Sequence, residues 1–364
     1  MNKYILLYVA SLAISATTMA QNGGGVYDPV ISMYGTQPLY LNPALCGNMD
    51  SKWRATLNYR EHGYTVHRPY RTAAGAFDIQ LPINAWNGNI WGFGLNFLSD
   101  DQGDVRFFDR RINGSFSLGQ YLDPRQMHSI SVGFQGGLGW RGISYGDVYW
   151  DNQWVGQGFD LQIDPNESLD ENVKGYFDLS TGLQYTYYSG KLTEFTGGVS
   201  MYHVNRPDVS LLNDTSGTSL QRRYNIHAEL TQRIREGNNW AIKPNFLYSR
   251  QVQRSLITGG TKFQFLFSEG TKTTGKLSES SVTFGGFIRG SKPDTISGTS
   301  LTFIATVQME FAGFSFGGGY DVPILGTYLG LNGFEGGFEF MISYRAGHNR
   351  GLYNKYSPHR KGRL

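Results

Sequence analysis

SISVGFQGGLGW, residues 129–140, alternates without a break. Ile130, Val132, Phe134, Gly136, Leu138 and Trp140 fall on one face of an extended chain, and Ser129, Ser131, Gly133, Gln135, Gly137 and Gly139 fall on the other. Successive side chains of a strand point to opposite faces, so this run predicts a strand that separates a greasy environment from a small or polar one. The period returns in Phe177, Leu179, Thr181, Leu183, Tyr185 and Tyr187, and again in Leu301, Phe303, Ala305, Val307 and Met309. In the last clear run Phe334, Gly336, Phe338, Phe340, Ile342 and Tyr344 oppose Glu335, Gly337, Glu339, Ser343 and Arg345, which predicts that the second face is wet.

Working outward, such segments recur near residues 53–62, 72–81, 91–99, 105–118, 127–142, 176–188, 192–204, 222–234, 240–250, 252–267, 281–289, 299–310, 312–320 and 334–345. The expectation is an all-β, antiparallel transmembrane barrel of about 14 strands spanning residues 53–345, the even number matching bacterial single-chain barrels. Beyond the N-terminus no run of about 18 apolar residues could cross a bilayer as a helix. Alternating strands reconcile membrane residence with a mean hydropathy of −0.35. The 48 glycines, 15% aromatic and 17% charged residues of the 364-residue chain fit many strands with tight turns. Strands approaching ten residues with aromatic ends favour this reading over a secreted β-sandwich. A net charge of +3 gives no field that argues for nucleic acid.

Lys3, the apolar run from Tyr4 to Ala16, and Thr18-Met19-Ala20 read as a Sec signal peptide over residues 1–20, so the chain is expected to be exported to the outer membrane. With the N-terminus periplasmic, connections after odd strands face outward. These include the long ones at 144–175, 205–221 and 321–333; those after even strands include the short 189–190 and 236–239, with 268–280 a longer exception. Residues 346–364 form a basic tail, periplasmic by the same parity. Cys46, the single cysteine, reads as a small buried residue.

Residues 21–52 differ from the rest. Pro29, Pro38 and Pro43 interrupt the stretch YDPVISMYGTQPLYLNPALCG, residues 27–47, too often for a helix or a central strand, yet its Tyr, Val, Ile and Leu predict packing. The reading is an extended segment packed on or in the barrel, as a plug or a periplasmic docking segment.

Few residues suggest chemistry. Gly142-Ile143-Ser144-Tyr145-Gly146 matches the nucleophile-elbow pattern, but no helix signal follows it. Asp147, Asp151, Asp160, Asp164, Glu167, Asp170 and Glu171 make the connection after residue 146 acidic, a calcium pattern that lacks the sharp-turn glycine. His203, Asp208 and His227 invite a metal or catalytic reading, against which their spacing favours structural hydrogen bonding. The expectation is no enzyme activity, no metal and no cofactor.

Against this background Asp28-Pro29-Val30, Leu41-Asn42-Pro43-Ala44, Gly47 and Trp53-Arg54 resemble the N-terminal signature of the PorP/SprF family of type IX secretion outer-membrane proteins. Residues 197–207, which include His203, Asn205 and Pro207, are similar to its central strand and exit loop, followed by Arg223-Tyr224 and His227. Pro244, Gln251 and Gly259-Gly260, then Tyr320-Asp321 and Gly336-Gly337-Phe338-Glu339, resemble its later hairpins. The resemblance implies a fourteen-stranded, non-enzymatic barrel in outer-membrane lipid. Its implied partners are a secreted client with a type IX C-terminal domain, or periplasmic or outer-membrane secretion components, and its implied work is adhesin display and gliding. The alternative is a porin or substrate-specific channel.

Overall fold

The computed structural model describes residues 27–49, 51–63, 69–82, 90–103, 107–143, 150–164, 173–189, 192–211, 218–233, 239–268, 280–292, 300–325 and 336–348. The alternating runs form fourteen strands: β1 (Ser51–His62), β2 (Tyr70–Pro82), β3 (Ile90–Gln102), β4 (Phe107–Tyr121), β5 (His128–Gly142), β6 (Val173–Ser189), β7 (Thr193–Tyr202), β8 (Arg223–Arg233), β9 (Trp240–Gln251), β10 (Arg254–Ser268), β11 (Ser280–Lys292), β12 (Ser300–Phe311), β13 (Phe314–Leu325) and β14 (Gly337–His348). Each pairs antiparallel with its sequence neighbours. β14 returns to β1, from Ser51 opposite His348 to His62 opposite Gly337, so the sheet closes and has no free edge.

Burial runs inside out relative to a protein in water. Phe134 is 53% exposed, Phe284 56% and Phe340 59%, whereas Arg141 is 2% exposed, Asp78 1% and Glu339 1%. On β5 the predicted register holds: Val132, Phe134, Leu138 and Trp140 face outward and Ser129, Ser131 and Gln135 face the lumen. A closed barrel satisfies its backbone internally, and an apolar exterior suits it to lipid. Among the described residues no helix is long and apolar enough to cross a membrane.

Two expectations change. The segment before β1 is not extended throughout, because one-turn helices form at Tyr34–Thr36, Pro38–Leu41 and Pro43–Leu45. Proline is tolerated at the first helical position, where its missing N–H has no partner in any case, so Pro38 and Pro43 start short helices rather than forbid them. The second face of β14 is also not wet at Glu339, since residues 32 and 33 take its carboxylate. The signal peptide at 1–20, the tail after His348, and Ser144, Asp147, Glu167, Asp170 and Glu171 lie outside the described residues.

The filled lumen refines what a charge scan should find. Gln135 would serve as a tolerant inward position in an empty barrel, but it is 5% exposed and donates to Asn96 Oδ1 at 2.6 Å. The adjacent pair on β12 is cleaner: Val307 is 47% exposed on the outer face, and Gln308 lines an internal cavity. Val307→Arg should cost about 2–4 kcal/mol near the bilayer midplane and deplete heat-modifiable barrel, while Gln308→Arg should assemble at the native level. Equal yields from both on denaturing gels would contradict the assigned faces.

Candidate functional site

Residues 27–49 run through the lumen. Asp28 lies with Arg111 near the start of β4, Arg223 at the start of β8 and Gln251 at the end of β9, all at the end of the barrel that carries the odd-strand connections. Gly47 lies against Asp78 and Gly92 at the opposite end, where β1 begins. There Gly47 adopts φ +64, a left-handed turn that suits glycine and lets the chain turn into the sheet.

The Asp28 end is held by charge. Its carboxylate is 2.7 Å from Arg111 Nη2, 2.8 Å from His203 Nε2 and 3.1 Å from Arg223 Nη1, and its backbone N–H donates to Gln251 Oε1 at 2.8 Å. His203 also binds Asp178 Oδ2 through Nδ1 at 2.9 Å, and Arg111 is 2.7 Å from Asp109. Burial pushes the Asp28 pKa up, but Arg111, His203 and Arg223 outweigh it and hold the carboxyl well below its usual range. Burial likewise disfavours the His203 cation, yet Asp28 and Asp178 raise its pKa. Both ring nitrogens of His203 thus face a carboxylate, an arrangement that favours the imidazolium. His203 reaches this position through a left-handed backbone, φ 57, in the turn that leaves β7.

Past this node the backbone of the segment takes over. Ser32 N donates to Glu339 Oε2 at 2.7 Å and Met33 N to the same carboxylate at 3.2 Å. Ser32 Oγ donates to Asp321 Oδ2 at 2.7 Å, an acid also paired with Arg60 at 2.7 Å and Arg289 at 2.8 Å. Tyr202, Ser200 and Arg223 donate to the carbonyls of Leu39, Leu41 and Tyr40. These barrel groups meet the carbonyls that a one-turn helix leaves open.

Asn42 is fully buried. Preceding Pro43, it takes extended dihedrals (φ −161, ψ 121) and caps the next helical turn by accepting from Ala44 N at 2.9 Å. Its amide Nδ2 donates to Leu183 O at 3.1 Å and sits 3.1 Å from His227 Nε2. Glycines make room for this stretch. A Cβ on Gly133 would lie 2.2 Å from Ala44 N, one on Gly182 would lie 1.9 Å from Asn42 Oδ1, and one on Gly92 would lie 2.1 Å from Cys46 O.

Thus Asp28, Asn42, Pro43, Ala44, Gly47, His203, Gln251, Asp321 and Glu339 meet at the interface between the segment and the barrel wall. Pro29 contributes its carbonyl to the Tyr40 hydroxyl at 2.7 Å. The other singled-out residues lie elsewhere. Trp53 and Tyr320 are on outward faces, Trp53 between Phe77 and Tyr344. Asn205 bonds Leu179 N and Phe177 O on the edge of β6 where pairing with β7 has ended, and Pro207 O accepts from Leu220 N. Asp208, paired with exposed Lys174 at 3.1 Å, is separate from His203 and His227. Asp151, Asp160 and Asp164 are spread along an exposed hairpin.

Sequence reading missed Arg60, Arg111, Asp178, Arg289 and the lumenal glycines. Their available signal was a charge or a glycine on the small face of a strand whose other face is apolar, which means either a ligand or a close backbone approach.

The family described as type IX secretion system membrane protein PorP/SprF matches residues 24–344. The chain belongs to this family. It is therefore an outer-membrane barrel of the type IX secretion system. No curated protein matches the chain. Solved structures with a similar barrel include the Ralstonia pickettii toluene transporter TbuX, at 12% identity over 85% of this chain and 93% of that one with a TM-score of 0.46. A Pseudomonas aeruginosa FadL homologue gives 9%, 84%, 92% and 0.45, and the monoaromatic hydrocarbon channel CymD gives 12%, 86%, 94% and 0.47. Likeness this distant has no bearing on what passes through or binds to a PorP/SprF barrel.

The clamp makes two contrasts measurable. Gly133→Ala forces a Cβ onto the segment backbone and should cost about 1–3 kcal/mol of barrel stability, whereas Gly136→Ala, whose Cβ would meet only outward side chains such as Leu179 at 3.3 Å, should cost little. Asp28→Asn leaves buried cations unmatched, a change worth about 3–5 kcal/mol for a buried pair, and should expose residues 28–47 to protease within an intact barrel. Protection equal to that of the native chain would show that the charge node does not hold the segment.

Proposed function

We propose that this PorP/SprF protein is a non-enzymatic, internally plugged docking barrel. It binds a secreted client carrying a type IX C-terminal domain, or components of the secretion machine, and so supports secretion and surface display. The observation that carries the reading is the segment hydrogen-bonded around the lumen from Asp28 to Gly47, which narrows any aqueous path. A wall this committed to an internal ligand has little free surface for general diffusion.

Surfaces outside the lumen support the reading. In the connection between β5 and β6 an ordered hairpin is tied by Asp160 N to Gln153 O at 2.8 Å and by Val155 N to Gly158 O at 2.9 Å. It presents Trp154, Val155, Phe159 and Leu161 to solvent, all more than 40% exposed. A contiguous apolar patch on a polar connection marks a protein contact site. With odd connections outward, this hairpin faces the cell exterior, where a displayed client would sit.

A substrate-specific channel is the second reading, favoured by a cavity that remains beside residues 32–38. Planar bilayers separate the two. The native protein should give no stable open level, while the double variant Asn42→Ala with Pro43→Ala should assemble, conduct, and recover less client after crosslinking in membranes. A steady ohmic conductance from the native barrel would favour the channel, and unchanged partner recovery from the double variant would detach the segment from partner binding. A secretion defect in a Ser144→Ala strain would reopen the question of catalysis.

A further inference from the structure

The segment does not fill the lumen evenly. Against β3–β7 it packs backbone to backbone over glycines, but between residues 32–38 and strands β8–β14 and β1 a cavity of about 220 Å³ remains. Its charged lining is Arg54, Lys243, Lys262, Arg345, Glu229 and Glu310. Most of these are already matched. Lys262 Nζ is 2.6 Å from Glu229 Oε2, Arg345 Nη2 is 2.6 Å from Glu310 Oε1, and Arg54 Nη2 is 2.8 Å from Asp78 Oδ2.

Lys243 is the exception. Among the described residues it makes no hydrogen bond and no ion pair, and Glu229 and Glu310 act on it only from beyond contact distance. An ammonium carries three donors and no acceptor, and those of half-buried Lys243 are left to whatever fills the chamber it lines. Beside it Tyr34 donates its hydroxyl to Asn245 Oδ1 at 2.9 Å, and Asn245 Nδ2 donates to Glu229 Oε2 at 3.4 Å.

We propose that this chamber binds the carboxylate end of an extended peptide, with Lys243 as its anchor. One unmatched positive charge suits a singly charged carboxylate, whereas a dianion such as phosphate would be repelled by Glu229 and Glu310 once that charge is used. Thr283, Gln264 and Gln308 supply the mixed donors and acceptors that peptide amides require. In an extended chain end the N–H and C=O groups are free to meet these side chains, whereas a helix bonds them within itself. The mouth lies where β1 begins and β14 ends, marked by the Arg345 side chain at 46% exposure and Glu310 at 25%. Resting on the docking reading above, that mouth faces the periplasm, and the occupant is the C-terminus of a partner or client arriving from that side.

The test is calorimetric titration of the purified full-length barrel in detergent with three probes: acetylated tetraglycine with a free carboxylate, the same peptide amidated, and inorganic phosphate. The free acid should bind with a dissociation constant on the order of 1 mM and the amide roughly tenfold more weakly or worse. Lys243→Gln should bring the acid down to the level of the amide, while Lys243→Arg should retain the preference. Heat-modifiability on gels certifies that each variant is a folded barrel. No binding of the acid, equal binding of acid and amide, or an unchanged affinity in Lys243→Gln would overturn the site. Phosphate binding tighter than the acid would overturn the peptide assignment. Because the titration contains no secretion component, it can fail while crosslinked partners are still recovered, or succeed when they are not.

Discussion

Everything in the lumen depends on matching buried charge. The wall near the odd-strand end carries Arg111, Arg141, Arg223 and His203 beside Asp109 and Asp178, with Asp100 close by but bonded to Thr72 and Gln102. Asp28 of the segment supplies the missing anion. Taking a charge out of water is expensive unless a partner and hydrogen bonds replace the solvent, so a wall of this composition is stable only with the segment in place or with water admitted. Complementarity reverses deeper in the barrel. There Arg60 and Arg289 pair with Asp321, and the segment offers the buried Glu339 carboxylate N–H groups from Ser32 and Met33. One short stretch thus presents an acid where the wall gathers arginines and backbone donors where it buries a carboxylate.

Sterics set the second constraint. The outward face can carry any apolar side chain, since lipid conforms to it, but the inward face must leave a path for a backbone. Gly92, Gly133, Gly182 and Gly198 do this where residues 42–46 pass. Close packing over glycine fixes the segment to one side of the barrel. The other side, built from Lys243, Lys262, Glu229 and Glu310, keeps side chains too long and too charged to pack against a backbone, and retains a cavity.

The barrel was legible in the sequence because a strand's period is two and needs only local information. Val132 and Phe134 against Ser131 and Gln135 announce both faces of β5 without reference to any other part of the chain. The site was less so. Ser32 and Glu339 are 307 positions apart, and nothing in either neighbourhood specifies the other. Polar residues on a strand's second face are equally consistent with water and with an internal ligand, which is why Glu339 read as wet. Pro38 and Pro43 misled for a different reason: proline forbids the interior of a helix but suits its first turn, and these helices are a single turn long. What did carry through was local. Asn42 before Pro43 implied a non-helical residue bonding its own neighbourhood, and the Asn42 side chain accepts from Ala44 N.

These constraints divide the lumen into two functional halves. On the β3–β7 side, a further chain could enter only by displacing a segment packed closely over Gly92, Gly133, Gly182 and Gly198. On the β8–β14 side the charged pairs Lys262–Glu229 and Arg345–Glu310 line open volume, and they can be rearranged by side-chain rotation alone. Under the docking proposal, a partner would therefore meet least resistance on that side and at the exposed hairpin that carries Trp154 and Leu161. A barrel built this way separates close packing from open volume: glycines seat the segment against β3–β7, and long charged side chains keep space open on the other side.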